Sequence, residues 1–570
     1  MKRRLIILSI AVAIMCLGVF VVYSYTFNEY IEKNKEVVKY DEAWNSLVAS
    51  VLNKTSFVLK IDGKEYTSSG NQIYMDDNRS IMLDSKYLTE AFDCATKLYS
   101  DTTLKIEKAD KAISMKINRN SLVVDGIKSE MKSPVVTKGS SVYVPIEEVC
   151  NSLGYSYVWD KAAGSAIVNN NSTEQRVLPY KYSYETARRA PGVRSQGNLG
   201  TCWAFAANTA LESTLLPEED FDFSEDHMSL NSHYVVSQYD GGDSSMAIAY
   251  YTAWQGPVLE KDDPYADGIT NSNLKPVKHI QEIQVTEGKD IEYIKKMVFK
   301  YGGVESSLYM DGESYNMQYS SCYNADNNAY CYIGTATSNH DVVIIGWDDN
   351  YSKNNFKIKP EGDGAFLCRN SWGNEFGDNG NFYVSYFDSN LGMHNVVYTR
   401  VEDVNNYDNI YQSDLCGQTG MIGYGKEDAY FANAYTAESH EKISAVGFYT
   451  VGKDTDYSVY VVKQFKDAKD LEKPGDEVAS GKITNMGYYT IDLKSEVLVE
   501  KGEKYAIVVK INTKNVTRPI AIEYANSYAT SKVDISDGEG YISYKGQNWE
   551  NIESRHNSNV CLKVYTKNVR

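Results

Sequence analysis

The spacing of apolar residues changes repeatedly along this chain, from helix-like to strand-like, then to a mixture of the two, and back to strands. Over 570 residues no single hydrophobic core can hold such a succession. Domains of roughly 100 to 200 residues each predict three or four of them. Residues 27–56 place Ile31, Val37, Val38, Trp44 and Leu47 at helical spacing among many charges and read as a helical stalk. Short strands with a small helix in each half of a faint repeat predict a small α+β domain over 57–170. After a polar linker at 169–174, residues 177–402 alternate helix-period and strand-period segments, the mark of an α+β domain. From 409 to 568 the apolar runs Val446 to Val451, Tyr457 to Val462, Tyr488 to Leu493, Tyr505 to Ile511 and Val560 to Tyr565 are separated by Gly, Asp and Asn turns, which predicts an all-β sandwich.

The N-terminus reads MKRR followed by an apolar run from Leu5 to Val22, the one membrane-length stretch in the chain. Its length lies between a signal-peptide core and a full span, so residues 1–26 fit both a cleaved signal and a transmembrane anchor. Val22-Tyr23-Ser24 would serve as a weak cleavage site. With Lys2, Arg3 and Arg4 held on the cytoplasmic side, everything after Tyr25 is expected outside the cell, secreted or tethered to the membrane's outer face. A formal net charge of -18 leaves no basic surface for a phosphate backbone, so nucleic acid is excluded as a partner. Nine cysteines, with Cys16 inside the apolar run, do not make a disulfide scaffold for an exported chain of this length. Cys322 and Cys331 share a polar loop, where a bridge and two free thiols are both compatible with the spacing.

In the repeat, Ser80 to Leu83, a helix through Leu88, Phe92 and Cys94, and strands ending at Ile117 are echoed by Ser141 to Val144, a helix through Val149 and Cys150, and strands from Val158 to Val168. Cys94 and Cys150 are expected on the two helices as small buried hydrophobes. The repeat resembles the N-terminal domain first described in copper amine oxidases. No oxidase chemistry follows, because a copper site needs clustered histidines and this segment has none; no metal or cofactor is expected.

The chemistry concentrates elsewhere. In Gln196-Gly197-Asn198-Leu199-Gly200-Thr201-Cys202-Trp203-Ala204-Phe205-Ala206 a Gly-rich loop gives way to an Ala-rich run with helix spacing through Leu211 and Leu215, which places Cys202 at a helix N-terminus. Unpaired N–H groups and the positive end of the helix dipole favour thiolate there, and the thiolate is the attacking form. A thiolate nucleophile needs a proton donor for the leaving amine, which at neutral pH points to histidine. Of seven histidines, His340 follows Ser338-Asn339 and opens the apolar run Asp341 to Trp347, so a buried strand would fix it at a cleft edge. His227, His233, His279, His394, His440 and His556 have no comparable surroundings and read as ordinary hydrogen-bonded residues. Asn370, in Arg369-Asn370-Ser371-Trp372-Gly373 after an apolar strand, can accept the imidazole N–H and fix the tautomer without adding charge.

Together these segments resemble the papain family of cysteine proteases, over roughly Val177 to Val401, and the resemblance implies a papain-like two-lobed catalytic domain. It makes Cys202 the nucleophile, His340 its acid/base partner and Asn370 the orienter. Gln196 would form the oxyanion hole with the Cys202 backbone N–H, such donors being worth roughly 3 kcal/mol each. Trp372 would shield the His340 to Asn370 hydrogen bond, and Gly241-Gly242 would either let a peptide approach the cleft wall or form an ordinary turn. The family often bridges a Cys at the place of Leu199 to one near Asn231, and here both are absent. Where it commonly has Ala after the histidine, Asp341 stands, to raise the imidazole pKa from within the cleft or to face solvent. No helical inhibitory propeptide pattern precedes Val177.

The segment 409–568 resembles the lectin-like sandwich of some bacterial papain-family enzymes, notably at Tyr430 to Asn433, Gly447 to Thr450 and Asn559 to Leu562. The resemblance implies cell-wall or host glycans as partners; Asp534 and Asp537 are too sparse for a calcium loop. The expected function is extracellular cysteine endopeptidase, acting on proteins or peptides through a thioester. A surface adhesin with a latent papain-like scaffold and an amidase acting on cell-wall peptides are the alternatives; the intact set Gln196, Cys202, His340 and Asn370 speaks against a dead scaffold.

Overall fold

The computed structural model describes residues 58–569, apart from 62–63, 69–71, 79, 100–101, 109–110, 140, 161–164, 170–177, 188 and 313–315. The apolar run within 1–26, the stalk at 27–56 and most of the linker at 169–174 lie outside the described residues. Among the described residues no helix is long and apolar enough to cross a membrane. The chain divides into two compact units, one of Met1–Arg119 and Ser133–Val177, the other of Asn120–Lys132 and Leu178–Arg570.

In the first unit the two halves of the repeat meet in one sheet. Ile81–Asp84 and Ser141–Pro145 pair antiparallel, with Tyr143 opposite Asp84, flanked by Ile73–Met75 and Val136–Lys138. A second sheet has the order Ser156–Asp160, Ser165–Asn169, Val58–Ile61, Lys64–Thr67, its middle pair parallel. Cys150 lies on the helix Ile146–Leu153, as expected, but Cys94 does not lie on its helix. The helix Leu88–Phe92 stops at Asp93, which takes a left-handed conformation with φ 50°. Asp tolerates that conformation and so ends a helix well. Both cysteines are buried.

The second unit is organised around a strand whose sequence, HDVVIIGWD, is buried along its whole length up to Trp347. Continuous apolar residues with no polar alternation require cover on both faces, and the chain supplies it. The labelled elements are helices α1 (Cys202–Leu215), α2 (Ser244–Thr252) and α3 (Ile291–Lys300), and strands β1 (Lys278–Glu287), β2 (Val304–Leu308), β3 (His340–Asp348), β4 (Ala365–Arg369), β5 (Asn381–Ser385) and β6 (His394–Asp403). They form one antiparallel sheet in the order β1, β6, β2, β3, β4, β5. All of α1 except Thr214 is buried, the polar Asn208, Thr209, Glu212 and Ser213 included, so the helix is covered on every side. The hairpin Ser121–Val124 and Ile127–Glu130 turns on Asp125-Gly126, both at positive φ, and joins this unit by pairing Glu130 with Lys181.

The residues beyond β6 build two facing sheets and a smaller one of Gly420–Ile422, Ile520–Glu523 and Asn559–Val560. One has the strand order Glu477–Ile483, Thr455–Val462, Lys504–Thr513, Asp428–Thr436, Gly540–Ser543, Glu550–Asn551. The other joins Asn409–Tyr411 to β9 (Leu562–Asn568), β7 (Glu441–Thr450) and β8 (Met486–Val499). Phe431, Val459, Ile507 and Val509 from the first meet Val446, Phe448, Leu562 and Val564 from the second in one core. The sandwich is continuous with the sheet of β1 to β6, because β8 also pairs with β1, Glu282 opposite Tyr489. The expected α+β domain followed by an all-β sandwich is therefore observed. Cys322 and Cys331 are buried free thiols that face each other across a two-stranded turn, where the Cys331 N–H donates to the Cys322 carbonyl.

The junction is polar at its centre. Lys563 lies 2.9 Å from Asp414, both fully buried, and its ammonium also donates to Gln412 Oε1 at 2.8 Å and to the Asp414 carbonyl. Burial pushes the Asp414 carboxyl up, and the Lys563 ammonium opposes it. Gln412 in turn donates to the Ala253 carbonyl just after α2, and Tyr234 donates to the carbonyl of Cys416. Removing one member of a buried pair strands the other charge. Lys563→Met is therefore expected to destabilise the second unit by about 3–5 kcal/mol, read as a lowered urea midpoint, while a surface change such as Lys545→Met should leave that midpoint in place.

Candidate active site

Cys202 is the first residue of α1 and is 9% exposed. The residue before it, Thr201, makes no side-chain cap to the helix; its hydroxyl hydrogen-bonds Tyr265 instead, at 2.5 Å. The first-turn N–H groups are thus free to act on the sulfur. Burial pushes the Cys202 thiol up to about 12, the nearby Asp341 carboxylate pushes the same way, and the backbone N–H groups of Asp341, Trp203 and Cys202 itself pull it back. This differs from the thiolate expected from helix position alone. The same burial that makes the site dry outweighs the helix terminus.

His340 opens β3, and the N–H of its chain neighbour Asp341 reaches the Cys202 sulfur, so the start of β3 meets the start of α1. The imidazole Nε2 is 2.7 Å from Asn370 Oδ1, and an amide oxygen can only accept, so Nε2 carries the proton. Asn370 Oδ1 also accepts the Ser371 N–H at 2.8 Å, and the Asn370 N–H donates to the Gly380 carbonyl. These bonds hold the amide from the end of β4. The Trp372 ring lies over the pair, its centroid 4.8 Å from that of His340, and stacks edge-on with Phe376 at 5.0 Å. Burial lowers the imidazole to about 4, opposed by the Asn370 hydrogen bond. Both Cys202 and His340 therefore rest neutral near pH 7.

Gln196 is drawn in by bonds that local sequence could not reveal. Ser371 Oγ donates to its Oε1 at 2.7 Å, its Nε2 donates to the Leu199 carbonyl at 2.7 Å, and its backbone N–H donates to the Ser371 carbonyl. Nε2 has a second hydrogen beyond the one given to Leu199. Gly241 and Gly242 act first through packing. A Cβ on Gly242 would meet Trp203 Nε1 at 2.5 Å, and one on Gly200 would meet the Gly241 N at 2.8 Å. The glycines let two loops close over the start of α1. The structure thus gathers Gln196, Cys202, His340, Asn370 and Trp372 in one place, with Gly241 and Gly242 along the loop beside it.

Asp341 does neither thing expected of it. It is 8% exposed, so it does not face solvent, and the groups acting on His340 do not include it. Alternation along β3 turns it to the opposite face from His340, where Ser307 Oγ donates to its Oδ1 at 2.5 Å. Under α1, Arg194 meets Glu212 at 2.7 Å and lies near Glu225, an ion network of partly and wholly buried groups whose members are too far apart in sequence to form a motif. Among the described residues no group of three His, Cys, Asp or Glu side chains could hold a metal ion.

Comparison with known proteins agrees with this architecture. The papain family cysteine protease model matches residues 178–401, the copper amine oxidase N-terminal domain 60–168, and the lectin like domain 410–566. A cysteine protease of Blomia tropicalis is 25% identical over 259 residues, covering 43% of this chain and 71% of that protein. Other curated relatives are matched over only about half of their length. The cysteine protease and lectin-like domains of Cwp84, described as a surface layer associated protein of Clostridium difficile, superpose with a TM-score of 0.60 at 28% identity, covering 69% of this chain and 89% of that one. Clostridial Cwp84 after propeptide cleavage gives a TM-score of 0.61 at 29% identity, over 68% of this chain and 99% of that chain. Residues 178–401 therefore belong to the papain family of cysteine proteases, and they stand between a domain of the copper amine oxidase N-terminal type and a lectin-like domain.

Proposed function

We propose that the chain is an endopeptidase of the cell exterior that cleaves peptide bonds through an acyl-enzyme thioester on Cys202. The observation that carries this reading is the buried Nε2 to Oδ1 hydrogen bond of 2.7 Å between His340 and Asn370, beside a cysteine at a helix N-terminus. With Nε2–H tied to Asn370, Nδ1 is the nitrogen left to exchange a proton. As the Cys202 sulfur attacks the substrate carbonyl carbon, its proton passes to His340. Each charge alone is costly in this dry site, but the two form together and neutralise one another, while N–H groups already aimed at the sulfur need no reorganisation. The carbonyl oxygen becomes an oxyanion held by the Cys202 backbone N–H and the second Nε2 hydrogen of Gln196. The C–N bond then breaks, the amine leaves with the proton from His340, and the acyl group stays on sulfur. Water, deprotonated by His340, attacks the thioester; the acid product departs and the thiol is restored.

The apolar run after MKRR supports export, as secreted protein or membrane-tethered at its N-terminus. The surface-layer association of the similar Cwp84 agrees with that location. The substrates would then be extracellular proteins or peptides, and the lectin-like domain would bring the protease to carbohydrate on a cell wall or host surface.

Cys202→Ala should abolish peptide hydrolysis, with a loss on the order of 10³-fold or more; a full-length chain that keeps its rate without this thiol would sink the reading. Asn370→Ala frees the imidazole plane and is expected to lower kcat/KM by about 10²-fold, with little change in the melting profile. Because a protonated imidazole cannot take the thiol proton, the rate should hold at neutral pH and fall as pH drops through about 4. A steady-state pH profile on one peptide reads this limb, and an inflection near the usual histidine value of 6.5 would contradict the buried site.

A further inference from the structure

On the face of the sheet that carries Asp341, carboxyl groups converge that no Lys or Arg among the described residues meets. In the antiparallel pair of β2 and β3, Glu305 stands opposite Val343 and Ser307 opposite Asp341, so Glu305, Ser307 and Asp341 share one face. Asp341 adjoins Cys202 directly, its N–H hydrogen-bonding the sulfur and its carboxylate acting on it. Asp243 caps α2 immediately after Gly241-Gly242, and its charge acts on both Asp341 and Glu305. Glu305 is 2% exposed; its Oε2 accepts a long bond of 3.4 Å from the Tyr398 hydroxyl, and its Oε1 has no hydrogen-bond partner among the described residues.

Among the described residues no Lys or Arg acts on Glu305 or Asp341. The one basic side chain acting on Asp341, His394, is engaged elsewhere: its Nδ1 meets Glu287 at 2.7 Å and its Nε2 meets the Ser244 hydroxyl at 3.1 Å. Burial, with mutual repulsion adding to it, raises Asp341 to about 6 and Glu305 well above the carboxylate range. A buried carboxyl oxygen without a partner costs free energy, and folding alone gains nothing from it. A cation entering from the cleft would supply both the missing hydrogen bonds and the missing charge.

We propose that Asp243, Asp341 and Glu305 form a side-chain subsite for a Lys or Arg residue of the substrate close to the scissile bond, with Asp341 at the mouth and Glu305 at the back. The proposal rests on Cys202 being the nucleophile, since it is the sulfur that Asp341 adjoins. The long cationic side chain would lie over the Gly241-Gly242 loop and replace repulsion among the acids with ion pairs, so that cleavage is directed to basic segments of target proteins.

The test is a fluorogenic peptide library, digested by the full chain, in which each residue flanking the scissile bond is varied among Lys, Arg, Leu, Gln and Glu. Lys and Arg should be preferred over Leu and Gln at one position by about tenfold in kcat/KM, and the ratio should fall towards one in Asp341→Asn and in Glu305→Gln. Labelling of Cys202 by an electrophilic thiol probe in each variant shows that the nucleophile still stands, and so separates loss of preference from loss of fold. A wild-type chain that favours apolar or acidic residues at every position, or a cationic preference unchanged in both variants, overturns the subsite. A chain that cleaves no peptide and whose Cys202 takes no probe overturns the protease reading, and the subsite with it.

Discussion

Burial of β3 on both faces is the constraint from which the rest of the second unit follows. A strand with no solvent side has no freedom of register, since a slip of one residue would exchange the side chains facing α1 with those facing away. His340 and Asp341 are successive residues at the start of that strand, so alternation sends one to Asn370 and the other to Ser307. The same backbone places the Asp341 N–H on the Cys202 sulfur. One strand thus orients the imidazole, supports the thiol and presents a carboxylate beside it.

Dryness is the electrostatic consequence. The thiol, the imidazole, Asp341 and Glu305 are each pushed towards the neutral form by burial. A neutral resting site is poised for pairs of opposite charge, because a pair formed or admitted together avoids the cost that each charge bears alone. That holds for thiolate with imidazolium, and equally for a carboxylate with an incoming cation. Trp372 and the glycine loop maintain this state, the first by covering the His340 to Asn370 bond and the second by closing on Trp203.

The sandwich shares a sheet with the protease fold through β1 and β8, and Gln412, which accepts from the buried Lys563, donates across to the Ala253 carbonyl. Such a junction transmits position rigidly. The sandwich and the cleft therefore keep one mutual geometry.

Much was legible in the sequence because the informative patterns are local. The Gly-rich loop running into Ala-rich helix located Cys202, the apolar run after His340 announced a buried strand, and Arg369 to Gly373 marked the loop that carries Asn370. Strand alternation and turn residues likewise revealed the sandwich. The left-handed Asp93 that leaves Cys94 off its helix, and the Asp-Gly hairpin that joins the second unit, were not recognisable from apolar spacing, since one depends on a single dihedral and the other on an edge pairing far along the chain. Above all, Glu305, Asp341 and Asp243 have no common motif. Spacing along a chain determined which residues could do chemistry, whereas burial and the company of distant side chains, which set every pKa and every unmet charge, were decided only when the chain folded.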